Sequence, residues 1–203
     1  MRFALCLRGI SDQFMKSYEN LKTMVINDLR ANGCTVDIFL NTYKTGVHEE
    51  LIQCFQPVCV SYNEFTEVPF GESMYSIVPK QILQCCELVK DHNNHYDYII
   101  ITRFDLTFNK CISQEVIYRN TINMECLFVP DLNSGDNFIL FPFADLSTVA
   151  TSIMDCIENK DNSHQLWRYF ELRGLKCHYI GGETGKRNPH YDVMFRFTRY
   201  LTD

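Results

Sequence analysis

No Cys-x-x-Cys pair occurs among the ten cysteines of this 203-residue chain. A zinc site built on paired thiolates therefore has no support. Cys85 and Cys86 are adjacent, Cys54 and Cys59 lie five apart, and Cys6, Cys34, Cys126, Cys156 and Cys177 sit inside apolar runs. They read as buried free thiols in a reducing compartment. Neither G-x-G-x-x-G nor G-x-x-x-x-G-K-[ST] is present, which removes the dinucleotide and P-loop fingerprints. No run approaches the roughly 20 apolar residues of a membrane span. The opening MRFALCLRGI enters Arg8-Gly9 after too short an apolar stretch for a signal peptide. A basic excess is also missing: the net charge is −6, so a nucleic-acid backbone is not expected as the main partner. There is no repeat, low-complexity run or linker. The expectation is one soluble, cytoplasmic α/β domain over 1–203, with its halves at about 1–106 and 107–203.

What the sequence does have is YDYIIITRFDL, at 96–106. Tyr98 to Thr102 are all apolar, aromatic or β-branched, the pattern of a strand buried on both faces. It delivers Arg103 and Asp105 at its carboxyl end, where ligands sit in open α/β sheets. The pair could hold a phosphate bridged to a divalent metal, or it could be an ion pair just past a strand end.

Residues 2–7 read as a first strand ending in Arg8-Gly9, and 34–40 as a second running into Asn41-Thr42-Tyr43. Between them Phe14, Tyr18, Leu21, Val25 and Leu29 recur at helical spacing, with Ser11 as a cap and Asn32-Gly33 as the stop. Strand, helix, strand is a parallel crossover. It puts Arg8-Gly9 and Asn41-Thr42-Tyr43 at neighbouring strand ends. A short helix at 47–55, a strand at 57–61 and a loop at 63–73 follow. A helix from about Met74 or Pro79 to Lys90 comes next, and Pro79 would suit a first turn. Later, 124–129 and 137–143 read as an antiparallel pair, 144–158 and 163–173 as helices, and 175–180 as a last strand. Residues 181–203 read as a flap folding back over the site.

Several residues carry two readings each. Arg8-Gly9 could fork onto a phosphate that the glycine lets approach, or be a plain strand-to-helix turn. Asp136, in Ser-Gly-Asp-Asn-Phe, is either a catalytic base or acceptor anchor, or an ordinary turn aspartate. His164, His178 and His190 are candidate ligands or bases. Lys186-Arg187 could close on a diphosphate or belong to a solvated tail.

Taken in order, ALCLRG, VDIFLNTY, Gln81 with Cys85-Cys86, YDYIIITRFDLTF and GDNFILFPFADL resemble small GT-A-like glycosyltransferases of surface and capsular polysaccharide synthesis. Such proteins are encoded by bacteria and by large DNA viruses of algae. The resemblance spans roughly residues 2–146. It implies a single-domain α/β GT-A-like fold with a mostly parallel central sheet flanked by helices. It also implies transfer of a hexose, deoxyhexose or pentose from a UDP- or GDP-sugar to a glycan acceptor, in the cytoplasm (the host's, if the protein is viral). Arg8, Gly9, Asn41, Thr42, Tyr43, Gln81 and Arg103 would hold the donor. Asp105 matches the last acid of a DxD-type motif and would hold Mn²⁺ or Mg²⁺, with His190 as a further ligand; Arg103 stands where many such enzymes carry the first acid. Asp136 would be the catalytic group. The alternatives are a nucleotide-binding protein without transferase activity, and another metal-dependent phosphoryl or nucleotidyl transferase.

Overall fold

The computed structural model describes residues 1–12, 14–63, 73–114, 117–128, 133–180 and 195–197. His190, Lys186, Arg187 and most of the expected flap lie outside them.

Strand β1 (Arg2–Gly9) is buried from Phe3 to Arg8. A helical run follows in three pieces: α1 (Met15–Leu21), a π-helical segment (Lys22–Asn27) and α2 (Asp28–Ala31). The expected helix is there, with Gly33 at φ 75° just past its end, where a residue without Cβ is favoured. Ser11 does not cap it: Phe14 is the N-cap and no side chain bonds there. Strand β2 (Thr35–Tyr43) extends through Asn41-Thr42-Tyr43 rather than stopping before them. Helix α3 (His48–Phe55), strand β3 (Cys59–Asn63) and helix α4 (Ser73–Asp91) follow. Helix α4 takes the earlier of the two expected starts, near Met74 rather than at Pro79, so that proline lies inside the helix and leaves one carbonyl without its intrahelical donor.

Strand β4 (Tyr98–Arg103) carries the YIIIT run, with Ile99, Ile100 and Ile101 fully buried. Then come β5 (Leu106–Phe108), β6 (Ile122–Phe128), β7 (Asn133–Pro142), α5 (Leu146–Glu158), α6 (Leu166–Leu172), β8 (Cys177–Ile180) and β9 (Phe195–Phe197). Short 3₁₀ turns at Phe143–Asp145 and Ser163–Gln165 lead into α5 and α6.

Seven strands form one sheet in the order β3-β2-β1-β4-β7-β6-β8. Strands β1 to β4 are parallel; β7 runs antiparallel to both β4 and β6, and β8 is parallel to β6. The chain is thus α/β with a mostly parallel mixed sheet. Strand β9 pairs antiparallel with β5, which follows Asp105.

Alternation along each strand builds two cores. Phe3, Leu5, Leu7, Ile38, Leu40 and Ile100 pack with α1 to α3. Ala4, Cys6, Phe39, Ile99, Ile101 and Ile139 pack with α4 to α6. Both faces are covered, so the parallel strands need no polar side, and their sequences are near-continuous apolar runs. Cys6, Cys34, Cys54, Cys59, Cys85, Cys86, Cys111, Cys156 and Cys177 are free thiols, with Cys6, Cys34, Cys85, Cys86 and Cys156 buried. No described helix is long and apolar enough to cross a membrane.

Candidate functional site

The order of the parallel strands reverses at β1: β2 and β3 lie to one side, β4 to the other. Outside the carboxyl ends of such strands a crevice opens, and it is where open α/β sheets bind ligands. The register sets three sequence candidates side by side there, since Arg8 is opposite Asn41 on β2 and opposite Arg103 on β4. Alternation decides the face. Arg8 follows Ala4 and Cys6, Arg103 follows Ile99 and Ile101, and Asn41 and Tyr43 follow Phe39. All four therefore project to the α4 side of the sheet, where Gln81 meets Arg8 and Tyr43 and Gln84 meets Asn41.

Strand β7 brings in the fifth candidate. Being antiparallel to β4, it starts where β4 ends: Phe138 is opposite Thr102, whose hydroxyl donates to the Asn137 carbonyl at 3.0 Å. Asp136 thus arrives beside Arg8.

A hydrogen-bonded chain joins these groups. Gln81 Nε2 donates to the Tyr43 hydroxyl at 2.9 Å. Arg8 Nη1 donates to Gln81 Oε1 at 3.4 Å, and Nη2 donates to the Asp136 carbonyl. Ser163 Oγ donates to Asp136 Oδ2 at 2.8 Å. Beside it runs an amide ladder, Asn63 to Asn41 at 2.9 Å and Asn41 to Gln84 at 3.2 Å. Thr42 points the other way: its hydroxyl donates to the Gly9 carbonyl at 2.9 Å and pairs with the Ser11 hydroxyl at 3.2 Å. Ser11, expected as a helix cap, spends its hydroxyl here.

Burial sorts the candidates. Arg8 is 1% exposed, Asn41 and Thr42 0%, and Gln81 and Asp136 5%. They form the floor behind the crevice, not its lining. Arg103 and Asp105 stay about one-fifth exposed at 22% and 18%. They grip each other through two parallel bonds, Nε to Oδ1 at 2.7 Å and Nη2 to Oδ2 at 2.8 Å, the strong forked geometry of guanidinium and carboxylate.

Burial pushes the Arg8 guanidinium below its ordinary value, against the opposing pull of the Asp136 charge. For Asp136, burial pushes the carboxyl up, but Arg8, His164, the Ser163 hydrogen bond and Arg103 together outweigh it and hold the acid below its usual value. Asp136 is therefore a buried carboxylate that stays charged.

Next to this floor lies a cleft of about 850 Å³ lined by Ile10, Asp12, Tyr43, Lys44, Thr45, Gly46, Tyr62 and Asn63. These residues end β1, β2 and β3 or follow them, and the volume suits a nucleotide-sized ligand. Tyr62 and Ile10 are exposed here at 43% and 53%. Sequence reasoning named only Tyr43 of this set. Tyr62 and Asn63 were within reach of the same strand-end logic once β3 was recognised two residues further along. Ser163 carried no local signal, because its partner is 27 residues away.

Among the described residues no group of three or more His, Cys, Asp or Glu is placed to hold a metal ion. Both Asp105 oxygens face Arg103, so the described side chains do not form a cage for Mn²⁺ or Mg²⁺. No protein-family model matches the chain and no curated protein matches it.

Proposed function

We propose that this chain is a glycosyltransferase of GT-A-like fold that moves a sugar from a UDP- or GDP-sugar to a glycan acceptor. The observation that carries the reading is the convergence of Arg103, Asp105, Tyr43 and the buried Arg8–Asp136 pair at the strand-order reversal, beside an open 850 Å³ cleft. An exposed tyrosine, an amide and a lysine (Tyr62, Asn63 and Lys44) are side chains suited to a base, a ribose and a phosphate. Stacking on an aromatic ring costs the protein little ordering. The guanidinium of Arg103 matches the diphosphate as it now matches Asp105.

In this reading the nucleotide lies in the cleft with its diphosphate over Arg103. Arg8, too deep to touch it, keeps positive potential under the leaving group and fixes the start of β7. Charge grows on the diphosphate as the sugar leaves, and preorganised cations favour that state. Asp105 is the acid that the resemblance assigns to a divalent metal. Both its oxygens are bonded to Arg103, so holding a metal would require Asp105 to give up that fork. Asp136 orients groups on the acceptor side. Nucleotide sugars are made in the cytoplasm, which is where such an enzyme would work.

Isothermal titration with UDP and GDP, each with and without Mn²⁺, tests the reading. Binding of either nucleotide, weakened about tenfold or more in Arg103→Ala, supports it. Asp105→Ala should remove whatever increment Mn²⁺ adds. No binding of either nucleotide under any condition sinks the proposal.

A further inference from the structure

The sheet has a second end. Down β1 from the cleft, roughly 20 Å away, a separate cavity of about 360 Å³ opens at the amino ends of β1 and β4. Its floor is the α1–α3 face of the sheet. Phe3 is opposite Tyr98 in the ladder, their rings stack at 5.6 Å and 22°, and Leu140 of β7 continues the surface. Leu29 and Cys34, on either side of the end of α2, form one wall. Ile112 and Ile117 form the other. A carboxylate ties the walls together: Asp28 Oδ2 accepts the Ser113 N–H at 2.8 Å and Oδ1 accepts the Ser113 hydroxyl at 2.8 Å. Asn32 Nδ2 adds a bond to the Asp28 carbonyl at 2.8 Å. The slot is thus built by the protein's own bonds and needs no ligand to form. Its apolar walls belong to the α1–α3 core, but on the slot side they lack the packing partners that a core supplies.

The polar lining sorts the same way. Asn32 and Ser113 are committed to Asp28, whereas Arg119 brings a charge to the slot. The turn that carries Arg119 is pinned by buried Asn123, which accepts the Tyr118 N–H and donates to the Tyr118 and Thr121 carbonyls, all at 3.0 Å. Arg119 is exposed, and among the described residues no carboxylate pairs with it. An apolar pocket with one or two placed polar groups is the usual form of a small-molecule site, and this one lies at the lower end of the roughly 300–1,000 Å³ range. We propose that the slot binds a small amphiphilic carboxylate: a medium-length hydrocarbon body against Phe3, Tyr98 and the two isoleucines, and a carboxylate head forked by Arg119. Burial of the body removes apolar surface from water on both partners. The guanidinium gives the head two parallel bonds, which a cationic or neutral head on the same body cannot accept. The site is independent of the glycosyltransferase reading, because none of its residues lines the cleft at the other end of the strands.

The test titrates the whole chain with octanoate, and with octylamine and 1-octanol as bodies of the same length with other heads. Isoleucine methyl resonances are followed in parallel. Octanoate should bind saturably at one site, with octylamine and octanol about tenfold weaker or more. The Ile112 and Ile117 methyls should move on binding and the Ile10 methyl, in the cleft, should not. Arg119→Ala, an exposed change that leaves the fold alone, should weaken octanoate about tenfold or more. Arg119→Lys, which keeps the charge but not the fork, should weaken it less. Ile117→Trp, which fills the slot from its half-buried wall, should abolish binding with the melting curve still cooperative. Absence of saturable octanoate binding overturns the proposal. So does octylamine binding as tightly, an unchanged affinity in Arg119→Ala, or methyl shifts at Ile10 in place of Ile112 and Ile117.

Discussion

At the residue scale the deciding fact is a guanidinium taken out of water. Arg8 is 1% exposed and its Nε makes no hydrogen bond among the described residues. Its other nitrogens are held by Gln81 and the Asp136 carbonyl. A buried ion pair adds little net stability over a well-packed apolar substitute, but removing one partner strands the other. Arg8→Met should therefore destabilise by about 3–5 kcal/mol in urea titrations, whereas Gln81→Ala, which removes only neutral partners, should cost about 1–3 kcal/mol. The reverse ordering would mean that Asp136 is not compensated by Arg8. Asp136 also sets an acid limit. Its folded carboxyl sits below the ordinary value because Arg8, His164, Ser163 and Arg103 outweigh burial. Its contribution is thus present above the unfolded aspartate value of about 3.9 and is lost as pH falls through the lower folded value. Unfolding free energies at pH 5, 4 and 3 should drop over the last interval, and Asp136→Asn should flatten that drop. Sequence alone named Arg8 and Asp136 but gave them direct contact with substrate. Residue type and strand-end position were legible; burial was not, because the groups that cover Arg8 come from α4 and β7, more than 70 residues away.

At the element scale, strands read well because their apolar runs are long. The β1, β2 and β4 runs carry their own burial, and the arrival of Arg8, Asn41 and Arg103 at one edge followed from parallel crossovers. Boundaries read less well for a physical reason. Asn41-Thr42-Tyr43 is polar, yet it stays in the ladder because its side chains find partners in Gln84, the Gly9 carbonyl and Gln81. The π-helical segment Lys22–Asn27 escaped notice because a one-residue shift in hydrogen bonding barely alters a 3.6-residue apolar period. Pro79 left the start of α4 open between Met74 and Pro79, since a proline is easiest to place in a first turn, and the helix takes the earlier start. The strand end itself can be tested at Gly9. It has φ 105° with no atom within 4 Å of a built Cβ, so a side chain there meets backbone strain and no clash. Gly9→Ala should cost about 1–2 kcal/mol in chemical denaturation while leaving Thr42's bond to the carbonyl in place. A neutral result would show that the β1 end relaxes to an ordinary conformation.

At the scale of the molecule, the site exists because β7 enters next to β4. The antiparallel pairing of β6 and β7 was legible from their closeness in sequence. Which of the two would dock on β4 was not, since both are apolar and neither carries a local signal for its neighbour. That choice fixes the surroundings of Arg8: with β7 inserted, the Asp136 carbonyl accepts from Arg8 and the Asp136 carboxylate accepts from Ser163. The cleft, by contrast, is lined only by residues that end β1, β2 and β3 or follow them. If the two halves meet around one donor, a nucleotide must stabilise the folded chain, because it binds only when the carboxyl ends of β1, β2, β3 and β4 are assembled. Linkage sets the size: ligand at 100 times its dissociation constant adds about 2.7 kcal/mol. For a domain of this length that is roughly 5–10 °C in the melting midpoint. UDP or GDP should give that rise in calorimetry. Arg103→Ala should cut it sharply, and Tyr62→Ala should lower it through lost stacking. Salt should shrink the wild-type effect, since Arg103 remains partly exposed to screening. Adenosine and cytidine diphosphates serve as controls for nonspecific phosphate binding. An equal rise with all four nucleotides, insensitive to Tyr62→Ala, would reduce the cleft beside β3 to a phosphate site and remove the base from it.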